Sequence, residues 1–107
     1  MVRTENIENK EKEVILDKMT HSIVEYINTN RLSLDESFEL ILEFIKIASP
    51  TDYLQYKDAL DSMRSSDKEF LLASIIDDGY LCIGLDPNNM ISFDDIDKIY
   101  KKFHWIK

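Results

Sequence analysis

Residues 34–48, LDESFELILEFIKIA, place apolar side chains at Phe38, Leu40, Ile41, Leu42, Phe44, Ile45 and Ile47. Together these cover most of a helix's circumference, and a helix apolar on nearly every side is a buried one. Its start is written in Ser33-Leu34-Asp35-Glu36, where the serine hydroxyl can accept from an early helix N–H while Glu36 reaches back to the Ser33 N–H. Its end is written in Ser49-Pro50, because the proline forces residue 49 out of the α region. The expectation is a central helix with Phe38, Ile41, Leu42 and Ile45 as its deepest face.

The flanking segments read as helices packed around it. Upstream, Val14, Ile15, Met19, Ile23, Val24, Tyr26 and Ile27 recur at three- and four-residue spacing, predicting an amphipathic helix from Glu11 to about Ile27. Residues 1–10 lack such a pattern and are expected to form a flexible N-terminal segment ahead of a single helical domain, 11–107. Downstream, Ser49-Pro50-Thr51-Asp52 repeats the box, with Pro50 at a first helical position, and opens a third helix with a narrow apolar face of Tyr53, Tyr56, Leu60 and Met63. Ser66-Asp67-Lys68-Glu69 opens a fourth, carrying Phe70, Leu71, Ala73, Ser74, Ile75 and Ile76 and closed by Gly79. Ser92-Phe93-Asp94-Asp95 opens the last, with Ile96, Ile99, Tyr100 and Phe103 at i, i+3, i+4 and i+7. The run Tyr80 to Leu85 fits a short extended segment or a distorted turn of helix equally well. Four serine-led boxes and short turns predict an all-α fold, a compact antiparallel bundle of four to five helices in which consecutive helices are neighbours. Two glycines and two prolines in 107 residues argue against an all-β chain.

Composition narrows the function classes. A formal charge of −8 disfavours direct binding to nucleic acid or to an anionic membrane, and a basic protein is the complementary partner. No apolar run reaches the roughly 18 residues of a membrane span, and no apolar stretch follows the basic start of a leader, so a cytoplasmic protein is expected. Cys82, the single cysteine, permits no internal disulfide and reads as a small buried hydrophobe.

The sequence lacks a glycine-rich phosphate loop, a Gly-x-Ser-x-Gly elbow, a Cys-x-x-Cys pair and a His-Glu-x-x-His motif, so a non-enzymatic role with no cofactor is expected. His21 and Glu25, four apart, could offer two ligands to a metal, but an exposed helix pair accounts for them more simply. Asp86 to Asp97 imitates a calcium loop only in part. Met90 occupies the fifth position, Ile91 replaces the glycine of the sixth, and Asp97 replaces the long bidentate glutamate of the twelfth. No metal site is expected.

Charge placement says more. Residues 50–97 hold eleven acids and three bases, whereas residues 98–107 hold four bases and no acid. Asp67, Glu69, Asp94 and Asp95 stand at helix N-termini, where the dipole welcomes them. Asp77 and Asp78 stand at a helix C-terminus, where it does not. That misplacement, with Tyr80 beside it as an aromatic anchor, makes Asp61, Asp77, Asp78, Tyr80 and Asp86 the candidate partner-binding residues.

The segment Ile23-Val24-Glu25-Tyr26-Ile27, a polar turn, and Leu32-Ser33-Leu34-Asp35-Glu36 with Phe38 behind it is similar to the opening of the colicin D type of self-protective immunity proteins. Asp77-Asp78-Gly79-Tyr80 resembles that family's acidic-aromatic corner, and Asn89 to Ile96 resembles the start of its final helix, so that the likeness covers residues 20–103. The chain departs from the family in its long polar N-terminal extension, in Ser37 before the phenylalanine and in the hydrophobic run from Tyr80 to Leu85. The resemblance implies a bacterial helical bundle that binds a cognate ribonuclease toxin and occludes its cleft, with acidic side chains in place of RNA phosphates. A different class, a small phage or bacterial regulatory or adaptor protein that binds a non-nuclease partner through a helix face, is the alternative.

Overall fold

The computed structural model describes residues 2–81 and 92–104, with side chains from residue 10 onward. Over these residues the chain is all-α, with five helices and no strand: α1 (Val2–Asn30), α2 (Leu34–Ala48), α3 (Pro50–Ser62), α4 (Ser65–Asp78) and α5 (Phe93–Lys102). The Tyr80 to Leu85 question falls mostly outside the described residues. Within them, Tyr80 is a bend and Leu81 is buried.

α2 lies where the sequence puts it, bounded by the same residues. Glu36 N–H donates to Ser33 Oγ at 3.2 Å and Ser33 N–H donates to Glu36 Oε1 at 3.3 Å, completing the reciprocal box. α2 packs against each of the other four helices, while α3 packs mainly on α2 and α1 also meets α4 and α5. Consecutive α3 and α4 do not lie along one another, contrary to the antiparallel-neighbour expectation. The short link through Met63 and Arg64 leads α4 away to α1 and α2, and its Leu72 and Ile75 join the shared core.

One core joins all five helices, and Ile41, Phe44 and Ile45 at its centre have no exposed surface. Phe44 meets Phe103 of α5 edge-on, ring centroids 6.3 Å apart. Leu42, expected among the deepest residues, is only half-buried, and Phe44 takes that place. On α1 the innermost stripe is Leu16, Thr20, Ile23 and Ile27, so Leu16 and Thr20 replace Val14, which is exposed. Thr20 is tolerated at the centre because its hydroxyl donates to Asp17 O at 2.7 Å, satisfying the buried polar group. Ser37, fully buried, donates in the same manner to Leu32 O. Phe70 and Tyr100, counted by spacing as inward, face solvent.

Helix ends depart from the sequence reading in instructive ways. α1 starts at Val2, where periodicity places it at Glu11, because the polar segment before Glu11 contains no glycine or proline to stop a helix. It ends at Asn30 with Arg31 in the left-handed region, φ +49°. Leu32 N–H donates to Ile27 O and Arg31 N–H to Asn28 O, the two bonds of a Schellman motif, and half-buried Leu32 supplies its hydrophobic contact. Of the four serine boxes, Ser33 and Ser92 form as expected. Ser49 makes no side-chain cap to backbone; its hydroxyl donates instead to Asp52 Oδ2 at 2.8 Å. Ser66 lies inside α4, which begins at Ser65 after an uncapped Arg64.

Candidate partner-binding surface

The last turn of α4 exposes Asp77 and Asp78 and closes on Gly79, whose φ of +83° turns the chain sharply. A Cβ at Gly79 would meet nothing within 4 Å, so the glycine serves backbone conformation and not packing. Gly79 N–H donates to Ile75 O at 2.9 Å. No basic residue occupies the last turn of α4, and among the described residues no cation pairs with Asp77 or Asp78. Both carboxylates therefore face the negative end of their own helix uncompensated.

Immediately after this corner, Tyr80, 40 % exposed, lies on His21 of α1 with ring centroids 5.4 Å apart and planes 26° from parallel. His21 is itself held by Asp17: its Nδ1 donates to Asp17 O at 2.8 Å, and Asp17 Oδ2 lies 3.8 Å away. A carbonyl oxygen can only accept, so Nδ1 carries a proton. Asp17, His21 and Glu25, spaced by four, share one face of α1, and all three are exposed. The stack thus brings two α1 carboxylates to the side of the α4 corner, giving an acidic surface with a partly exposed aromatic ring in it. Sequence reasoning missed Asp17; the 17, 21, 25 spacing was its signal.

The remaining sequence candidates are not gathered here. Asp61 is exposed near the end of α3, next to the start of α4, and that helix carries Asp77 and Asp78 roughly 20 Å further on. Asp86 lies outside the described residues. A second acidic feature, also missed, runs along α2: Glu36, Glu39 and Glu43 line a shallow groove with Tyr26, Leu32 and Leu40. Tyr26 lies five residues from His21, about 140° around α1, so the groove opens on a different side from the Tyr80 corner. α2, expected to be buried on nearly every side, therefore presents a strip of exposed glutamates to solvent. Its three- and four-residue spacing of glutamates was legible but was masked by the density of apolar residues between them.

His21 faces Asp17 and not Glu25, so the metal-pair geometry weighed from the sequence does not form. Among the described residues no three His, Cys, Asp or Glu side chains converge as a cation site, and Ser92 of the calcium-loop comparison uses its hydroxyl to cap α5. Among them, too, no helix is long and apolar enough to cross a membrane. No family model, curated protein or solved structure matches the chain.

Proposed function

We propose that the chain is a non-catalytic inhibitor that docks a basic protein onto the acidic end of α4, and that this partner is the ribonuclease domain of a bacterial toxin. The observation that carries the reading is the pair Asp77 and Asp78, exposed, without a cation among the described residues and set against their own helix dipole, beside a tyrosine whose ring is held by His21. Carboxylates in that position cost the free protein stability, and a partner's lysines and arginines recover it on binding. Asp17 and Glu25 extend the same surface, and the formal charge of −8 adds long-range steering toward a cationic cleft. Inhibition follows from occlusion: acidic side chains take the positions of RNA phosphates and the tyrosine ring takes that of a stacked base. The setting is the cytoplasm, where such a toxin would act on its producer.

A second reading, docking of a non-nuclease partner through a helix face, is favoured by Phe70 of α4, which is 77 % exposed. The two separate by salt. Stopped-flow association with a basic partner through the acidic corner should slow by an order of magnitude or more between low and physiological ionic strength, and Phe70→Ala should leave it unchanged. Docking through Phe70 gives the opposite pattern.

A further inference from the structure

Between α1, α2 and α5 a cavity of about 170 Å³ is walled by Ile15, Met19, Ile23, Phe44, Ile99 and Phe103. Its floor is core: Phe44 and Ile99 are at most 1 % exposed. Its mouth is different in kind, formed by Lys18, Ser22 and Tyr100, and no carboxylate is among the described lining residues. That is unusual on a chain with 21 acidic residues against 13 basic ones. The Ser22 hydroxyl is already committed, donating to Lys18 O at 3.0 Å. Among the described residues the Lys18 ammonium and the Tyr100 hydroxyl have no hydrogen-bond or ion-pair partner, and Tyr100 is 55 % exposed. An apolar chamber under two unengaged donors, one of them cationic, has the make-up of a ligand site: hydrophobic walls for affinity and a few polar groups for orientation.

We propose that this cavity binds a small apolar monoanion, its hydrocarbon body in the chamber and its carboxylate between Lys18 Nζ and the Tyr100 hydroxyl. The volume guides the size, since an enclosed apolar cavity of about 150 Å³ holds benzene, so a body of about six carbons fits within this open-mouthed one. The charge sets the head group, because a cation at the mouth repels an ammonium and leaves an alcohol without its strongest contact. Lys18 lies three residues from His21, about 60° around α1, so the mouth borders the acidic face, while the chamber beneath it opens toward α2 and α5.

Titration of the purified full chain with sodium hexanoate, followed by methyl shifts of Ile15, Ile23 and Ile99, tests this directly. Hexanoate should give saturable shifts in these methyls, hexanol should bind about tenfold more weakly, and hexylamine should not saturate. Lys18→Gln, at an exposed position that leaves the fold unchanged, should weaken hexanoate about tenfold and bring it level with hexanol. Absence of saturable shifts, equal binding of hexanoate and hexanol to the native chain, or unchanged hexanoate affinity in Lys18→Gln would each overturn the proposal.

Discussion

Tyr80 and His21, fifty-nine positions apart in sequence, stack with ring centroids 5.4 Å apart, and this contact ties the turn after α4 to the outer face of α1. It fixes where the Asp77-Asp78 corner points. Removing the ring by Tyr80→Ala should cost the free protein about 0.5–1.5 kcal/mol beyond the apolar area lost, and His21→Ala should cost nearly as much. A double-mutant cycle by chemical denaturation checks it: a coupling energy near zero means the stack holds nothing in place.

The two left-handed residues predict changes of opposite sign. Gly79→Ala meets no steric obstacle and should still destabilise by roughly 1 kcal/mol, because an alanine pays for the positive φ. Arg31→Gly relieves that cost at the end of α1 and should raise stability by about 0.5–1 kcal/mol, against which the looser unfolded chain is a partial offset. Thermal midpoints should move by a few degrees, downward for the first variant and upward for the second.

Core depth along α2 makes a graded prediction. Ile41→Ala, at a position with no exposed surface, should cost about 2–5 kcal/mol, and Ile41→Asp should abolish folding. Leu42→Ala, half-buried, should cost clearly less than Ile41→Ala by equilibrium denaturation. Equal losses at the two positions would mean that the helix is rotated from the orientation described.

The misplaced acids should show their cost in the free protein. Asp77→Asn with Asp78→Asn removes two charges from a helix C-terminus and should stabilise by roughly 0.3–1 kcal/mol each at low ionic strength, less at high salt. Denaturation at the two salt concentrations measures this. Destabilisation would reveal partners for these carboxylates and undercut their role as unengaged groups.

Much of the architecture was legible because it is written locally. The box at Ser33, the proline at residue 50 and the glycine at residue 79 each mark a boundary by their own backbone chemistry, and the structure keeps all three. What periodicity could not supply was which of several adjacent apolar residues turns inward. Val14 and Leu16, or Leu42 and Phe44, differ by two residues, about 200° of helix, and only the neighbours' positions decide between them. Thr20 and Ser37 were passed over because their hydroxyls bond backbone carbonyls nearby, which lets polar residues sit in an apolar stripe. For the candidate surface, the exposed acids of α4 could be read from the helix dipole alone. The spacing of 17, 21 and 25 puts Asp17 on the His21 face, but that this face meets the corner, like the removal of Asp61 from the group, follows from α4 leaving α3 to pack on α1 and α2.

The proposed binding and inhibition of a ribonuclease through the α4 corner can be tested in one experiment. The most direct measurement is calorimetric titration of the chain into the purified product of the neighbouring open reading frame, with RNA cleavage by that product assayed in parallel. A stoichiometric complex that suppresses cleavage is expected, with a loss of affinity of tenfold or more in the doubly reversed Asp77→Lys, Asp78→Lys chain while its thermal midpoint is kept or raised. Unchanged affinity in the reversed chain, or cleavage that continues in the complex, would contradict it.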